Sequence, residues 1–197
     1  MVEIKRLGHA TFKIHGSKII YIDPWKLSQN DKADIILISH GHYDHLSKDD
    51  IAKIRHEKTW VIAAKDIADD VNARGIAPGQ KIEANGVKIE GVPAYNINKK
   101  FHLKENKWLG FVIEIDGKRI YYAGDTDNIP EMADLKNIDI ALMPVSGTYV
   151  MTAEEAAEAV KKFRPKQAIP YHYGDIIGTK DDAARFKKLC SCEVLII

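Results

Sequence analysis

Ile35-Ile36-Leu37-Ile38-Ser39-His40-Gly41-His42-Tyr43-Asp44-His45 is the stretch whose reading decides the fold. Its first half is a short, wholly apolar run, the composition of a strand buried on both faces. Its second half is H-x-H-x-D-H. With 8 His in 197 residues, chance occurrence of that pattern is on the order of one in a thousand. Three imidazoles and an acid have no packing reason to gather, because each needs a partner once out of water. Imidazole nitrogen and carboxylate oxygen are the usual non-sulfur ligands of zinc. His40 and His42, two apart at a strand end, can point into one metal position. Asp44 and His45, past a turn, can reach a second.

Outward from this cluster the chain echoes itself. Phe12–Tyr21 runs into a tight turn at Gly16 and out again, the pattern of a β-hairpin. Phe111–Tyr122 repeats it around Gly117 with two more residues. Each hairpin is followed by an apolar run opened by Asp, at Asp34–Ile38 and at Asp139–Met143. Ser47-Lys48-Asp49-Asp50 and Thr152-Ala153-Glu154-Glu155 then place a hydroxyl three residues before an acid, a helix-start signal. Apolar strands follow at Trp60–Ala64 and Gln167–Pro170. Asn85-Gly86 marks a further turn, Tyr95–Trp108 has no period, and Val194–Ile197 reads as the last strand. Four elements in matching order predict an α+β fold: two similar sheets packed face to face with helices outside, a four-layer αββα sandwich. The length predicts one domain spanning residues 1–197.

Composition narrows the function classes. Lys+Arg number 29 against 28 Asp+Glu, a net charge of +1, so no nucleic-acid or membrane-surface partner is expected. No apolar run approaches the ~20 residues of a membrane span. The N-terminus lacks the order of a signal peptide. Two cysteines, Cys190 and Cys192, are too few for a disulfide framework. A cytoplasmic location is the expectation. Lys outnumbers Arg 23 to 6, which points to a prokaryotic, heat-adapted source or to an AT-rich genome.

The H-x-H-x-D-H motif in a duplicated two-sheet frame resembles the metallo-β-lactamase-fold hydrolases. Tyr21-Ile22-Asp23-Pro24 is similar to that family's first motif, whose acid orients the metal ligands. Gly124-Asp125-Thr126 is similar to the motif whose Asp bridges both metals. Ile169-Pro170-Tyr171-His172-Tyr173-Gly174 is similar to the motif whose His completes the second metal. Together with Leu7-Gly8-His9, Pro24-Trp25 and Ala94-Tyr95-Asn96, these segments resemble the ascorbate-6-phosphate-lactonase-like branch. The resemblance implies two divalent cations, zinc or alternatively manganese, held by His40, His42, Asp44, His45, Asp125 and His172. It implies a metal-dependent hydrolase of a small ester, lactone or phosphorylated metabolite, with Asp44 both holding a metal and orienting the nucleophile.

One position departs from the family pattern. Asn96 stands where the family supplies a third imidazole to the first metal, and a neutral amide is a poorer ligand. A weak first site is therefore expected unless His102, six residues on, fills the gap; His102 could instead act as an acid on the leaving group, or be a solvated loop residue. His9 is either near the site or a satisfied structural histidine. Lys99, Lys100, Lys104 and Lys107 crowd the same loop, either solvated or forming a rim that attracts an anionic small molecule. Two other functions remain open on sequence: a nuclease or phosphodiesterase of the same superfamily, and a non-catalytic metal-binding protein.

Overall fold

The structure, a computed structural model, describes residues 2–28 and 31–197. Sequence order and spatial order coincide in each of two sheets. The first contains β1 (Glu3–Gly8), β2 (Thr11–His15), β3 (Ile19–Ile22), β4 (Ile35–Ile38), β5 (Trp60–Ala64) and β6 (Arg74–Ile76). The second contains β7 (Lys81–Ala84), β8 (Val87–Pro93), β9 (Leu109–Ile115), β10 (Lys118–Tyr122), β11 (Ile140–Pro144), β12 (Gln167–Tyr171) and β13 (Glu193–Val194). Helix α1 (Lys48–Ile54) joins β4 to β5, α2 (Ala153–Phe163) joins β11 to β12, and α3 (Lys180–Leu189) joins β12 to β13. Pairing repeats between the sheets. β1-β2-β3 are antiparallel and β3 to β6 parallel; β7-β8-β9-β10 are antiparallel and β10 to β13 parallel.

The repeat extends to single hydrogen bonds. Asp34 donates its N–H to Ile19 O at 2.9 Å and accepts Ile19 N–H on Oδ2 at 2.8 Å. Asp139 does the same with Arg119, at 2.8 Å for each bond. Each Asp carbonyl then accepts from the strand beyond, Trp60 N–H and Gln167 N–H, both at 3.0 Å. The acid that opens each apolar run thus latches it to the outgoing strand of its hairpin. The two hairpin tips also meet, Ser17 N–H donating to Asp116 Oδ2 at 2.7 Å.

Strand alternation decides which faces meet, because residues paired across neighbouring strands share a face. Phe12 lies edge-on to Tyr122 and Tyr171, with ring centroids 6.1 and 5.5 Å away. Phe12, Ile14, Ile20 and Ile22 therefore face Phe111, Ile113, Tyr122, Ile169 and Tyr171 in one buried cluster between the sheets. The alternate residues of the second sheet, among them Val112, Tyr121, Ala141 and Met143, pack with Ala156, Val160, Phe163 and Phe186 of α2 and α3. On the first sheet's side α1 buries Ile51 and Ile54.

The helix-start signals act as expected. Ser47 Oγ accepts Asp50 N–H, and Thr152 with Glu155 forms a reciprocal capping box. Three features differ from the sequence expectation. The last strand stops at Val194, and Leu195, Ile196 and Ile197 are exposed beyond it. β6 and α3 were not anticipated; α3 is mostly polar and buries only Ala183 and Phe186, so its apolar period is faint. Cys190 and Cys192 are free, with sulfurs 3.5 Å apart. Among the described residues no helix is long and apolar enough to cross a membrane.

If the two acids are equivalent latches, Asp34→Ala and Asp139→Ala should each lower unfolding stability by about 1–2 kcal/mol in urea titrations, the cost of orphaning a paired amide. Losses below about 0.5 kcal/mol, the range of ordinary surface changes, would show that the latches are incidental.

Candidate metal centre

The hairpin tips lie at one end of the sandwich, and the motif residues collect at the other. Asp23 follows β3, His40–His45 follow β4, Asp125 follows β10 and His172 follows β12. In open sheets with parallel strands, functional groups gather where strands end. His9 joins them from the β1–β2 turn, where its carbonyl accepts His172 N–H at 3.1 Å. His102 comes in from the long β8–β9 loop.

Two groups of donors result. His40, His42 and His102 have ring nitrogens within 4.8 Å of one another, and so do the donor atoms of His9, Asp44, His45 and His172. Asp125 stands between the groups. Its Oδ2 lies 3.1 Å from His172 Nε2, 3.2 Å from His102 Nε2, 3.4 Å from His45 Nε2 and 4.0 Å from His40 Nε2. Gly124 makes this placement possible. Its φ is +70°, and a Cβ there would lie 2.5 Å from Leu109 O, so any side chain would push the Asp125 loop off β9.

A second layer fixes the rings. Asp23, fully buried and at φ +45°, accepts from Ser39 N–H (2.7 Å), Ser39 Oγ–H (2.5 Å) and Tyr122 O–H (2.7 Å), and its Oδ2 lies 2.8 Å from His45 Nδ1. Ser39 Oγ also sits 2.8 Å from His40 Nδ1, and Ser146 Oγ sits 2.9 Å from His172 Nδ1. With its inner nitrogen so held, each ring presents the other to the cluster. The indole of Trp108 packs on His40, His42 and His102, with centroids 4.9, 5.0 and 5.7 Å apart.

Asn96 takes a place in this layer, away from the cluster. Its Oδ1 accepts His102 N–H at 3.0 Å and lies 3.1 Å from His102 Nδ1, while its own N–H donates to His102 O at 2.7 Å. Its Nδ2 donates to Asp127 Oδ1 at 3.1 Å and to Tyr149 O at 2.9 Å. The amide thereby closes residues 96–102 into a loop that delivers the His102 ring beside His40 and His42. The third imidazole arrives six residues later than in the family pattern.

The electrostatics demands positive charge. Burial opposes ionisation of Asp125, yet His172, His45 and His102 hold its carboxyl well below the usual range. Burial likewise opposes a charged His45, but Asp125 and Asp23 outweigh it and raise its pKa well above the ordinary value. His40 is pushed well below that value, by burial first and by neighbouring His45 next, and His42 and His9 are lowered chiefly by burial. Meanwhile His9 Nδ1 and Nε2, His45 Nε2, His102 Nε2 and Asp125 Oδ1 are buried with no hydrogen bond. Unpartnered buried donor atoms gathered in this way fit divalent cations.

Sequence reasoning left four contributors unseen or unassigned. Ser146 and Trp108 lie far along the chain from the cluster, with nothing local to mark them. Ser39 adjoins His40 and could have been suspected as its anchor. His9 has no diagnostic spacing, being a lone histidine after a glycine. Of the loop lysines, Lys99 pairs with Asp127 at 2.5 Å and Lys104 with Glu131 at 3.1 Å.

Residues 3–172 match the beta-lactamase superfamily domain. The chain is 36% identical to a metal-dependent hydrolase of Thermococcus onnurineus, over 100% of this chain and 96% of that one. It is also 36% identical to one of Pelotomaculum thermopropionicum, over 94% and 90%. Among solved structures, a candidate metal-dependent hydrolase from Parabacteroides distasonis superposes with a TM-score of 0.90 at 35% identity, over 99% of this chain and 92% of the other. Igni18, a metallo hydrolase from Ignicoccus hospitalis, gives 0.80 at 26% identity, over 100% and 94%. These proteins are described by metal dependence and hydrolysis; none of those names specifies a lactonase.

The two roles of the loop separate in a pair of variants. His102→Ala should weaken zinc affinity by at least about tenfold, and Asn96→Ala by less, since the amide acts only through the ring it holds. Competition titration with a chromophoric chelator reads both. A silent His102→Ala beside a damaging Asn96→Ala would assign the metal contact to the amide.

Proposed function

We propose that this chain, which belongs to the beta-lactamase superfamily and is a metal-dependent hydrolase, cleaves a small ester, lactone or phosphorylated metabolite at a dinuclear site. The observation that carries the reading is Asp125, whose one carboxylate oxygen reaches nitrogens of both donor groups. Bound divalent cations, zinc or alternatively manganese, would supply a Lewis acid for the scissile group and acidify a water near neutral pH.

The protein's own groups do the rest. Asp125 and six imidazoles, with Asp44, would hold the cations. Asp44 lines the open cleft, with Oδ2 3.1 Å from His9 Nε2, where it can accept a proton from an attacking water. Asp23, Ser39, Ser146 and Asn96 keep the rings in place before substrate arrives, so little reorganisation is left to the reacting complex. With Nδ1 tied to Asn96 and Nε2 turned to Asp125, His102 is suited to be a ligand and poorly placed as an acid for the leaving group. Among the described residues no Lys or Arg lines the cleft, which disfavours the nuclease reading, since nucleic-acid backbones are held by such cations.

Protein stripped with a chelator and reloaded with zinc or manganese should retain about two ions per chain, and hydrolyse members of a panel of lactones, carboxylic esters and phosphate esters only when loaded. Asp125→Ala should cost more than the ~10–100-fold that loss of a supporting residue costs. Equal turnover by stripped protein, or no turnover of any panel member by loaded protein, contradicts the proposal.

A further inference from the structure

The wall of the cleft carries information that the reaction class does not use. The cleft encloses about 320 Å³, at the small end of the ~300–1,000 Å³ of small-molecule sites. Above the imidazoles and carboxylates its wall is made by Tyr43, Phe101, Tyr149 and Ile176, from four different loops. Tyr43 is 69% exposed, Phe101 48% and Ile176 38%. Phe101 meets Tyr149 edge-on at 4.7 Å, and Tyr43 meets Trp25 at 6.2 Å. A collar of large apolar side chains held open to water marks a surface that something apolar covers. Its continuity with the metal cluster makes substrate that occupant.

Charge points the same way. Among the described residues, the ionisable groups lining the cleft are histidines, acids and the phenols of the tyrosines. Two of the loop lysines, Lys99 and Lys104, pair with Asp127 and Glu131, and none of Lys99, Lys100, Lys104 and Lys107 is among the residues that line the cleft.

We infer that the substrate is an uncharged carboxylic ester or lactone bearing an apolar chain or ring, which Tyr43, Phe101, Tyr149 and Ile176 seat while its carbonyl faces the histidine cluster. This rests on the hydrolase reading and narrows it away from phosphorylated metabolites. Water adds its oxygen to the carbonyl carbon as the bond to the leaving oxygen breaks. One water proton ends on the leaving oxygen, and the new carboxylic acid releases the other.

The test uses two γ-lactams, ring analogues that resist hydrolysis, differing only in a methyl or hexyl substituent. Calorimetry on the zinc-loaded protein measures their binding beside glucose 6-phosphate. The hexyl lactam should bind at least about tenfold tighter than the methyl lactam, since each buried methylene adds affinity. Phe101→Ala and, on a separate loop, Ile176→Ala should each reduce that preference severalfold with zinc content unchanged. Equal binding of the two lactams, tighter binding of glucose 6-phosphate, or a hexyl preference untouched by both substitutions overturns the inference. Failure of the hydrolase reading would appear separately, as loaded protein that leaves the matching lactones intact.

Discussion

The Asp125 carboxylate is 4% exposed and has three imidazole nitrogens within 3.4 Å. An acid buried that deeply is tolerable only with positive charge beside it. Divalent cations held beside the carboxylate would meet that demand. Much of the surrounding architecture serves to keep this arrangement from collapsing onto itself. Gly124 lets the Asp125 loop lie against β9. The Asp23 carboxylate binds Ser39, His45 and Tyr122 at once, so the end of β3, the motif loop and the second sheet share one anchor. His172 and His9, both with positive φ, are tied backbone to backbone. Strained backbone gathered at one place is the usual signature of a working site.

The duplicated frame explains where that site can be. Each half ends its hairpin and its parallel strands at the same edge, and the halves face each other there. Equivalent positions then diverge. Asp23 and Ala123 occupy the same place after β3 and β10, each donating its N–H to the neighbouring strand, at Leu37 O and Leu142 O. In the first half that position became a buried anchor. In the second it stayed small, and the working acid sits two residues on. Neither half alone holds a complete donor set.

Strong local patterns made much of this legible from residues alone. The apolar run before His40, the two Gly-turn hairpins and the hydroxyl–acid cap signals each have a short-range physical cause, and each appears where expected. The H-x-H-x-D-H cluster was legible because its residue types are too costly to bury together without a ligand. What stayed hidden depends on partners remote in sequence. Whether Lys99 solvates the mouth or pairs with Asp127, 28 residues on, has no local signal. The same holds for Ser146 beneath His172, and for Asn96, whose bonds with His102 are visible only once the loop is closed. β6, three residues long, and the sparsely apolar α3 had too weak a period to register.

The central claim is that Asp125 sits between two metal positions, one beside His40, His42 and His102 and one beside His9, Asp44, His45 and His172. Anomalous X-ray scattering from zinc-loaded crystals, recorded on both sides of the zinc edge, tests it most directly. The account predicts two peaks flanking the Asp125 carboxylate, one against each donor group. A single peak away from Asp125, or a peak whose imidazole neighbours exclude His102, would contradict it.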